Sequence, residues 1–303
     1  MKWPTSVQIC EVGPRDGLQN EASHLTAQEK IEWINSLSET GVSFIEASSF
    51  VSPKWIPALA DADEVLHGIT RKAGVMYSAL VPNVRGLERA MQAKVDAVAV
   101  FMSASESHNQ HNINKSITDT FPVLRQVTKA AKAEKLFVRG YVSTVFGCPY
   151  EGEVDVNQVR KVVNTLLEDG VDEISLGDTI GVSTPAKTAR VLEVILKEIS
   201  LDQLVLHMHD TRGTALANVM VGLEYGITRF DSALGGLGGC PYAPGAAGNV
   251  ATDDLVYLFR DSDVLTRIDA VKMHESLQLL ERFVRHPLPS HTSSYLRSRG
   301  WKE

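Results

Sequence analysis

Short β-branched, apolar runs alternate with longer amphipathic stretches along this chain, and the alternation repeats eight times. Apolar residues at every second position mark half-buried strands, whereas apolar residues three and four apart mark helices that bury one face. The strand-like runs lie near residues 7–12, 43–47, 75–81, 95–101, 136–142, 172–176, 203–208 and 227–232. Helical patterns fill the gaps near 27–40, 57–67, 84–93, 117–134, 155–169, 184–198, 213–225 and 252–260. Gly41, Gly170 and Gly226 follow helical stretches, where a left-handed residue closes the last turn. Thr26 and Thr184-Pro185 fit helix starts. Alternating strands and helices make an α/β fold with a parallel sheet. Eight pairs within 303 residues favour closure into a (β/α)8 barrel of the TIM type over an open, doubly wound sheet.

Beyond residue 263 the helical pattern resumes from Asp269 to Val284, and a polar tail with little to bury starts at His286. No linker rich in Pro, Gly or Ser interrupts the chain. The expectation is one domain, residues 1–285, made of the barrel and a C-terminal helical extension, with a polar tail at 286–303. The formal net charge of −7 argues against a partner bound through nucleic-acid phosphates. No apolar run approaches the ~20 residues that span a bilayer. The N-terminal residues lack the apolar core of a signal peptide and the Arg-rich pattern of a transit peptide. Three cysteines, Cys10, Cys148 and Cys240, are too few for a disulfide framework. These features describe a cytoplasmic protein of enzyme size.

A barrel of this kind gathers its functional groups where strands end and the following loops begin. His207 and His209 lie at the end of the seventh strand. They share one face, about 6.5–7 Å apart along the backbone, so two neutral imidazoles can reach one divalent ion. The alternative is a pair of strand-end histidines bonded to carboxylates or solvent. The first strand runs into Glu11-Val12-Gly13-Pro14-Arg15-Asp16-Gly17. Turn chemistry explains the Gly and Pro residues but not Arg15-Asp16. A carboxylate there is a hard oxygen ligand and a guanidinium can hold an oxyanion; the alternative is an exposed, salt-bridged turn. Glu46, inside the apolar second strand, needs a cation, and Arg15 at the neighbouring exit is the nearest candidate.

Arg139 and Tyr141 share a face of the fifth strand. If that face is inward, Arg139 can bind a substrate carboxylate; if outward, it meets a helix. Ser175, Gly177 and Thr179 share a face of the sixth strand, with Asp178 at its exit. The glycine-rich stretch from Gly235 to Gly248 matches neither a dinucleotide fingerprint nor a phosphate loop, and suits a mobile flap. Cys240 on that flap is open to acid–base work or is an idle surface thiol. Cys10 is enclosed in its strand and Cys148 reads as a turn residue. Asn249 either caps the helix after it or offers its amide oxygen to a metal. Two imidazoles, a carboxylate and an amide oxygen suit Mg²⁺ or Mn²⁺ better than structural zinc.

At these residues the chain resembles the 3-hydroxy-3-methylglutaryl-coenzyme A lyases. The similarity is carried by residues 11–21 (EVGPRDGLQNE), 48–55 (SSFVSPKW), 176–181 (LGDTIG), 207–211 (HMHDT) and 236–242 (GLGGCPY). The cysteine block is particular to these lyases, while the Arg-Asp and His-x-His elements extend to isopropylmalate and homocitrate synthases. The resemblance implies a metal on Asp16, His207, His209 and Asn249, and Arg15 near the thioester carbonyl. It also implies Glu46 orienting Arg15, Cys240 in acid–base work, and Gln19, Ser49, Arg139, Asp178 and Thr179 lining a substrate pocket. His207 is a second candidate for proton transfer, although a metal-bound nitrogen cannot also act as base. The implied reaction cleaves 3-hydroxy-3-methylglutaryl-CoA to acetyl-CoA and acetoacetate, as in leucine breakdown, and the implied assembly is a homodimer. Arg212-Gly213-Thr214 departs from some members and bears on fine substrate preference. The competing readings are a lyase for a related acyl-CoA, such as citramalyl-CoA or 3-hydroxy-3-isohexenylglutaryl-CoA, and a silent metal-binding scaffold.

Overall fold

The computed structural model describes residues 3–240 and 243–301, with the side chains of 240 and 243–247 outside that description. Eight parallel strands close into a barrel in sequence order: β1 (Gln8–Glu11), β2 (Phe44–Ser49), β3 (Met76–Leu80), β4 (Ala97–Ser103), β5 (Phe137–Ser143), β6 (Glu173–Asp178), β7 (Leu204–Met208) and β8 (Arg229–Ser232). Closure is made by β8 pairing with β1, with Cys10 opposite Asp231 and Glu11 opposite Ser232. Helices return the chain between strands: α1 (Ala27–Glu39), α2 (Ala62–Gly68), α3 (Val84–Gln92), α4 (Glu106–Ile113), α5 (Ile117–Ala133), α6 (Val156–Glu168), α7 (Pro185–Ile195) and α8 (Ala215–Glu224). Three more, α9 (Thr252–Phe259), α10 (Ala270–Val284) and α11 (His291–Ser298), follow β8. The barrel and its helical extension are as the periodicity predicts.

Local chemistry explains the element ends. The Thr26 hydroxyl accepts from Glu29 N while the Glu29 carboxylate accepts from Thr26 N, a reciprocal cap that starts α1. Thr184 accepts from Lys187 N, and Pro185 opens α7 where no intrahelical donor is needed. Gly41, Gly170 and Gly226 all have positive φ. The main apolar core lies between strands and helices, whereas two small clusters fill the barrel itself, one around Cys10, Phe44 and Ala97 and one around Leu80, Ala99 and Tyr141.

Three expectations need correction. Helix α4 was not foreseen, because Glu-Ser-His-Asn-Gln-His-Asn-Ile carries almost no apolar stripe; Ser105 starts it by accepting from His108 N. The glycine-rich stretch contains a short antiparallel pair, β9 (Gly239–Cys240) with β10 (Ala243–Ala247), rather than a plain loop. The tail is not idle either. Its helix α11 docks, with Leu288 1% and Leu296 2% exposed. Few residues do the burying, so the tail's composition reads as polar while its packing is not.

Candidate metal centre and active site

The exit of β1 winds into a single π-helical turn, Gly13–Gly17, which presents Arg15 and Asp16 at the barrel mouth. Gly17 lets Leu237 pack against this turn, since a Cβ would lie 2.9 Å from Leu237 Cδ2 and displace that side chain. On the far side, residues 248–250 run beside the exit of β7. Asp210 N donates to Gly248 O, Val250 N donates to Met208 O, and Asn249 pairs with His209. Asp16, His207, His209 and Asn249 thereby converge from three separate stretches of chain.

Ligand atoms of Asp16, His207 and His209 all lie within 4.8 Å of one another. The two Nε2 atoms are 3.3 Å apart and Asp16 Oδ2 is 3.8 Å from His207 Nε2. Asn249 Nδ2 donates to Asp16 Oδ2 at 2.9 Å, while its Oδ1 is buried without a hydrogen-bond partner among the described residues. Burial works against charge on Asp16, yet Arg15 and then the two histidines hold its carboxyl well below the usual range. Burial, then His207, lowers His209 to about 4, leaving a neutral ring with a free lone pair. Two facing imidazole nitrogens, an ionised oxygen and an orphaned amide oxygen are the donor set a divalent cation wants. The residues fit a metal ion.

Arg15 is 7% exposed, and its Nε donates to Glu46 Oε2 at 2.6 Å and its Nη1 to Asp16 Oδ1 at 2.5 Å. The pair with Glu46 is the one that an acid inside an apolar strand demands. Tyr141 OH donates to the same Glu46 oxygen at 3.0 Å, and the guanidinium lies 5.0 Å from the centre of the Tyr141 ring. Arg15 Nη2 makes no hydrogen bond to a described residue. A cavity of about 260 Å³ opens onto this group. Its polar side includes Arg15, Asp16, Gln19, Tyr141, Thr179 and His207, and its apolar side includes Trp55, Leu80 and Phe101.

Gln19 and Thr179 therefore border the cavity, but three of the expected pocket residues do not. The Ser49 hydroxyl, 1% exposed, is turned onto its own loop and accepts from Val51 N. The Asp178 carboxylate accepts from Val182 N and Ser183 N, shaping the turn after β6. Arg139 faces inward but sits too deep, fully buried between Glu173 and Asp231 with Cys10 Sγ 3.3 Å from its Nη2. Asn249 does not cap α9, whose first turn is preceded by Ala251. Cys148 is buried, with Sγ 3.0 Å from Ser105 Oγ. The Cys240 side chain lies outside the described residues. One participant escaped the sequence reading: Asp231, a 1%-exposed acid on β8 opposite His207, whose Oδ2 is 3.2 Å from His207 Nδ1. The rule that singled out Glu46, an acid within an apolar strand, applies to it equally.

Comparison with known proteins places this arrangement. The family described as HMGL-like matches residues 6–280. The hydroxymethylglutaryl-CoA lyase YngG of Bacillus subtilis is 51% identical over 298 residues, covering 98% of this chain and all of the relative. The 3-hydroxy-3-isohexenylglutaryl-CoA/hydroxy-methylglutaryl-CoA lyase of Pseudomonas aeruginosa is 48% identical over 269 residues, covering 89% of this chain and 90% of the relative. A hydroxymethylglutaryl-CoA lyase of Acinetobacter baumannii, solved with coenzyme A and 3-methylmalate, superposes with a TM-score of 0.92 at 40% identity, covering 99% of this chain and 97% of the other. A mouth built from Arg15-Asp16 and His207-x-His209 and likeness along nearly the whole chain lead to one conclusion: this chain belongs to the HMGL-like family, among the hydroxymethylglutaryl-CoA lyases.

Proposed function

We propose that this protein cleaves 3-hydroxy-3-methylglutaryl-CoA to acetyl-CoA and acetoacetate, with a divalent cation, Mg²⁺ or Mn²⁺, on Asp16, His207, His209 and Asn249. The observation that carries this reading is the juxtaposition of that donor set with the Arg15 guanidinium on one wall of a small, partly apolar cavity. When bound, the cation supplies a Lewis acid that lowers the pKa of the substrate's tertiary hydroxyl. The rest falls to the chain itself. Breaking the C2–C3 bond leaves C2 as the enolate of a thioester, and negative charge builds on the carbonyl oxygen. Arg15, fixed by Glu46 and Asp16 and lining the cavity, is a preorganised donor for that oxygen. Glu46 is itself fixed by Tyr141, so the guanidinium cannot swing away as charge develops. Gln19 and Thr179 orient the acyl group, and Cys240 returns a proton to the enolate carbon. The general base that receives the hydroxyl proton is unassigned.

The A. baumannii relative holds coenzyme A, which supports an acyl-CoA thioester as this chain's substrate. Among the described residues no helix is long and apolar enough to cross a membrane. A cytoplasmic homodimer completes the reading and rests on the family resemblance and the low cysteine count. The P. aeruginosa relative makes longer 3-hydroxyglutaryl-CoA homologues the second substrate class. The decisive experiment is mass spectrometry of products from a panel of 3-hydroxyacyl-CoA thioesters with and without Mg²⁺ or Mn²⁺. Metal-dependent acetyl-CoA and acetoacetate from the methyl substrate are expected. Efficient cleavage of the isohexenyl substrate with little action on the methyl one would move the assignment to the second class.

A further inference from the structure

Beneath the barrel mouth runs a file of alternating charges. His207 Nδ1 is 3.2 Å from Asp231 Oδ2, and Asp231 Oδ1 accepts from Arg139 Nη1 at 2.7 Å. Arg139 Nε donates to Glu173 Oε1 at 2.6 Å, and Glu173 Oε2 accepts from Arg229 Nη1 at 2.7 Å. Ser175 Oγ also donates to Asp231 Oδ2, at 2.7 Å. The Asp231 and Arg139 side chains are wholly buried. Taking so many charges out of water is costly, and well-packed apolar residues would serve stability as well. The mechanism proposed above uses none of Asp231, Arg139 or Glu173. Their retention inside the barrel calls for a task, and the end of the file that touches chemistry is His207.

We infer that Asp231 is a positioning residue for the metal centre: it accepts the Nδ1 proton of His207 and so aims the Nε2 lone pair at the point shared with Asp16 and His209. This rests on the reading of those residues as a cation site. A neutral imidazole has one donor and one acceptor, and an ionised carboxylate only accepts. Opposite Asp231, therefore, Nδ1 carries the hydrogen and Nε2 is left as a ligand. Arg139 makes this orientation binding on Asp231 itself. Its guanidinium demands an oxygen at Oδ1, which leaves Oδ2 for His207, and the Ser175 hydroxyl fixes the plane. Arg139 thus acts two residues removed from the cation, in place of the substrate contact that its strand position suggests.

The substitution Asp231→Asn is a sharp test. Arg139 will keep the carboxamide oxygen, turning the amide NH₂ toward His207 Nδ1. That ring nitrogen must then accept, the hydrogen moves to Nε2, and the ligand lone pair is lost. Long-range ¹H–¹⁵N spectra of histidine-labelled, metal-free protein read the tautomer, with His207 assigned through His207→Gln. Mn²⁺ affinity is read separately from the free-ion paramagnetic resonance signal. Wild type is expected to carry the hydrogen on Nδ1. Asp231→Asn should carry it on Nε2 and bind Mn²⁺ about 10–100-fold more weakly, with an unchanged circular dichroism spectrum. Ser175→Ala, which leaves every charge and the Asp231–His207 contact in place, should weaken Mn²⁺ by only about threefold, less than the roughly 10–100-fold typical of losing a ligand's own hydrogen-bond partner. Wild-type affinity in a folded Asp231→Asn protein overturns the inference, and so does a neutral wild-type ring that carries its one hydrogen on Nε2. If Asp231→Asn does not fold, the wild-type tautomer decides alone. A wild-type protein that binds no Mn²⁺ would overturn the cation reading instead, while the tautomer spectrum still decides for Asp231.

Discussion

At the scale of single residues, the proposed chemistry is tested most directly at Arg15. Its charge is fixed by Glu46 and Asp16, and burial is outweighed by those two carboxylates, so it stays protonated at any working pH. Arg15→Gln keeps a polar group of similar reach but loses the positive charge and the fork of donors. It is expected to lower kcat by about 10²–10³, the loss typical of one preorganised oxyanion donor, with Mn²⁺ affinity within a few-fold of wild type. Steady-state turnover paired with metal titration checks this, and near-normal turnover would remove Arg15 from the mechanism. How far a residue's task can be read from sequence depends on whether the rule fixes direction or depth. An acid in an apolar strand must find a cation, and Glu46 found Arg15. Strand alternation gave Arg139 and Tyr141 the same face without saying how deep each lies. One therefore reaches the cavity while the other is spent on Glu173 and Asp231.

Elements matter here by where they stop. Residues 248–250 are held against the β7 exit, where Asp210 N donates to Gly248 O and Val250 N to Met208 O, and Gly248 also crosses the other leg of the glycine-rich stretch so closely that a Cβ there would fall 1.5 Å from Gly238 O. The hairpin β9–β10 rises from this tight crossing, with Asn249 Nδ2 also donating to Leu237 O at its root. The element bearing Cys240 is thereby tied at its base to the candidate metal site. Cys240→Ser is accordingly expected to retain Mn²⁺ affinity and to lose most turnover, because a hydroxyl is a far weaker acid than a thiol. Calorimetric metal titration beside an acetoacetate assay separates the two, and a fall in affinity would make the cysteine a ligand. Strands and amphipathic helices were legible because burial writes a period into the sequence. Helix α4 and the hairpin were not, since a polar helix and a glycine-rich ribbon leave no such period.

At the scale of the whole molecule, the C-terminal tail closes the structure against the barrel through acids at the start of α9. Asp254 accepts from His291 N at 3.0 Å and Thr292 N at 2.8 Å, so it serves the N-terminus of α11. Asp253 accepts from Gly235 N at 2.8 Å and from the Ser290 hydroxyl, joining the tail to the turn that leads into the hairpin. Burial, then the neighbouring Asp254, raises the Asp253 pKa from 3.8 to about 6. The folded protein therefore binds this proton more tightly than the unfolded chain. The resulting stability is fully present below about 3.8 and is lost as pH rises through about 6. At 1.36 kcal/mol per pH unit the whole loss is on the order of 3 kcal/mol, of which about 2 kcal/mol falls between pH 4.5 and pH 7.5. In Asp253→Asn the amide oxygen can still accept from Gly235 N and its NH₂ can donate to the Ser290 oxygen, but nothing titrates. Urea unfolding at pH 4.5 and pH 7.5 should show wild type losing more stability than the variant, with Asp253→Asn at least as stable as wild type at the higher pH. Equal losses in the two proteins would mean that Asp253 is ionised throughout, its hydrogen bonds outweighing its burial.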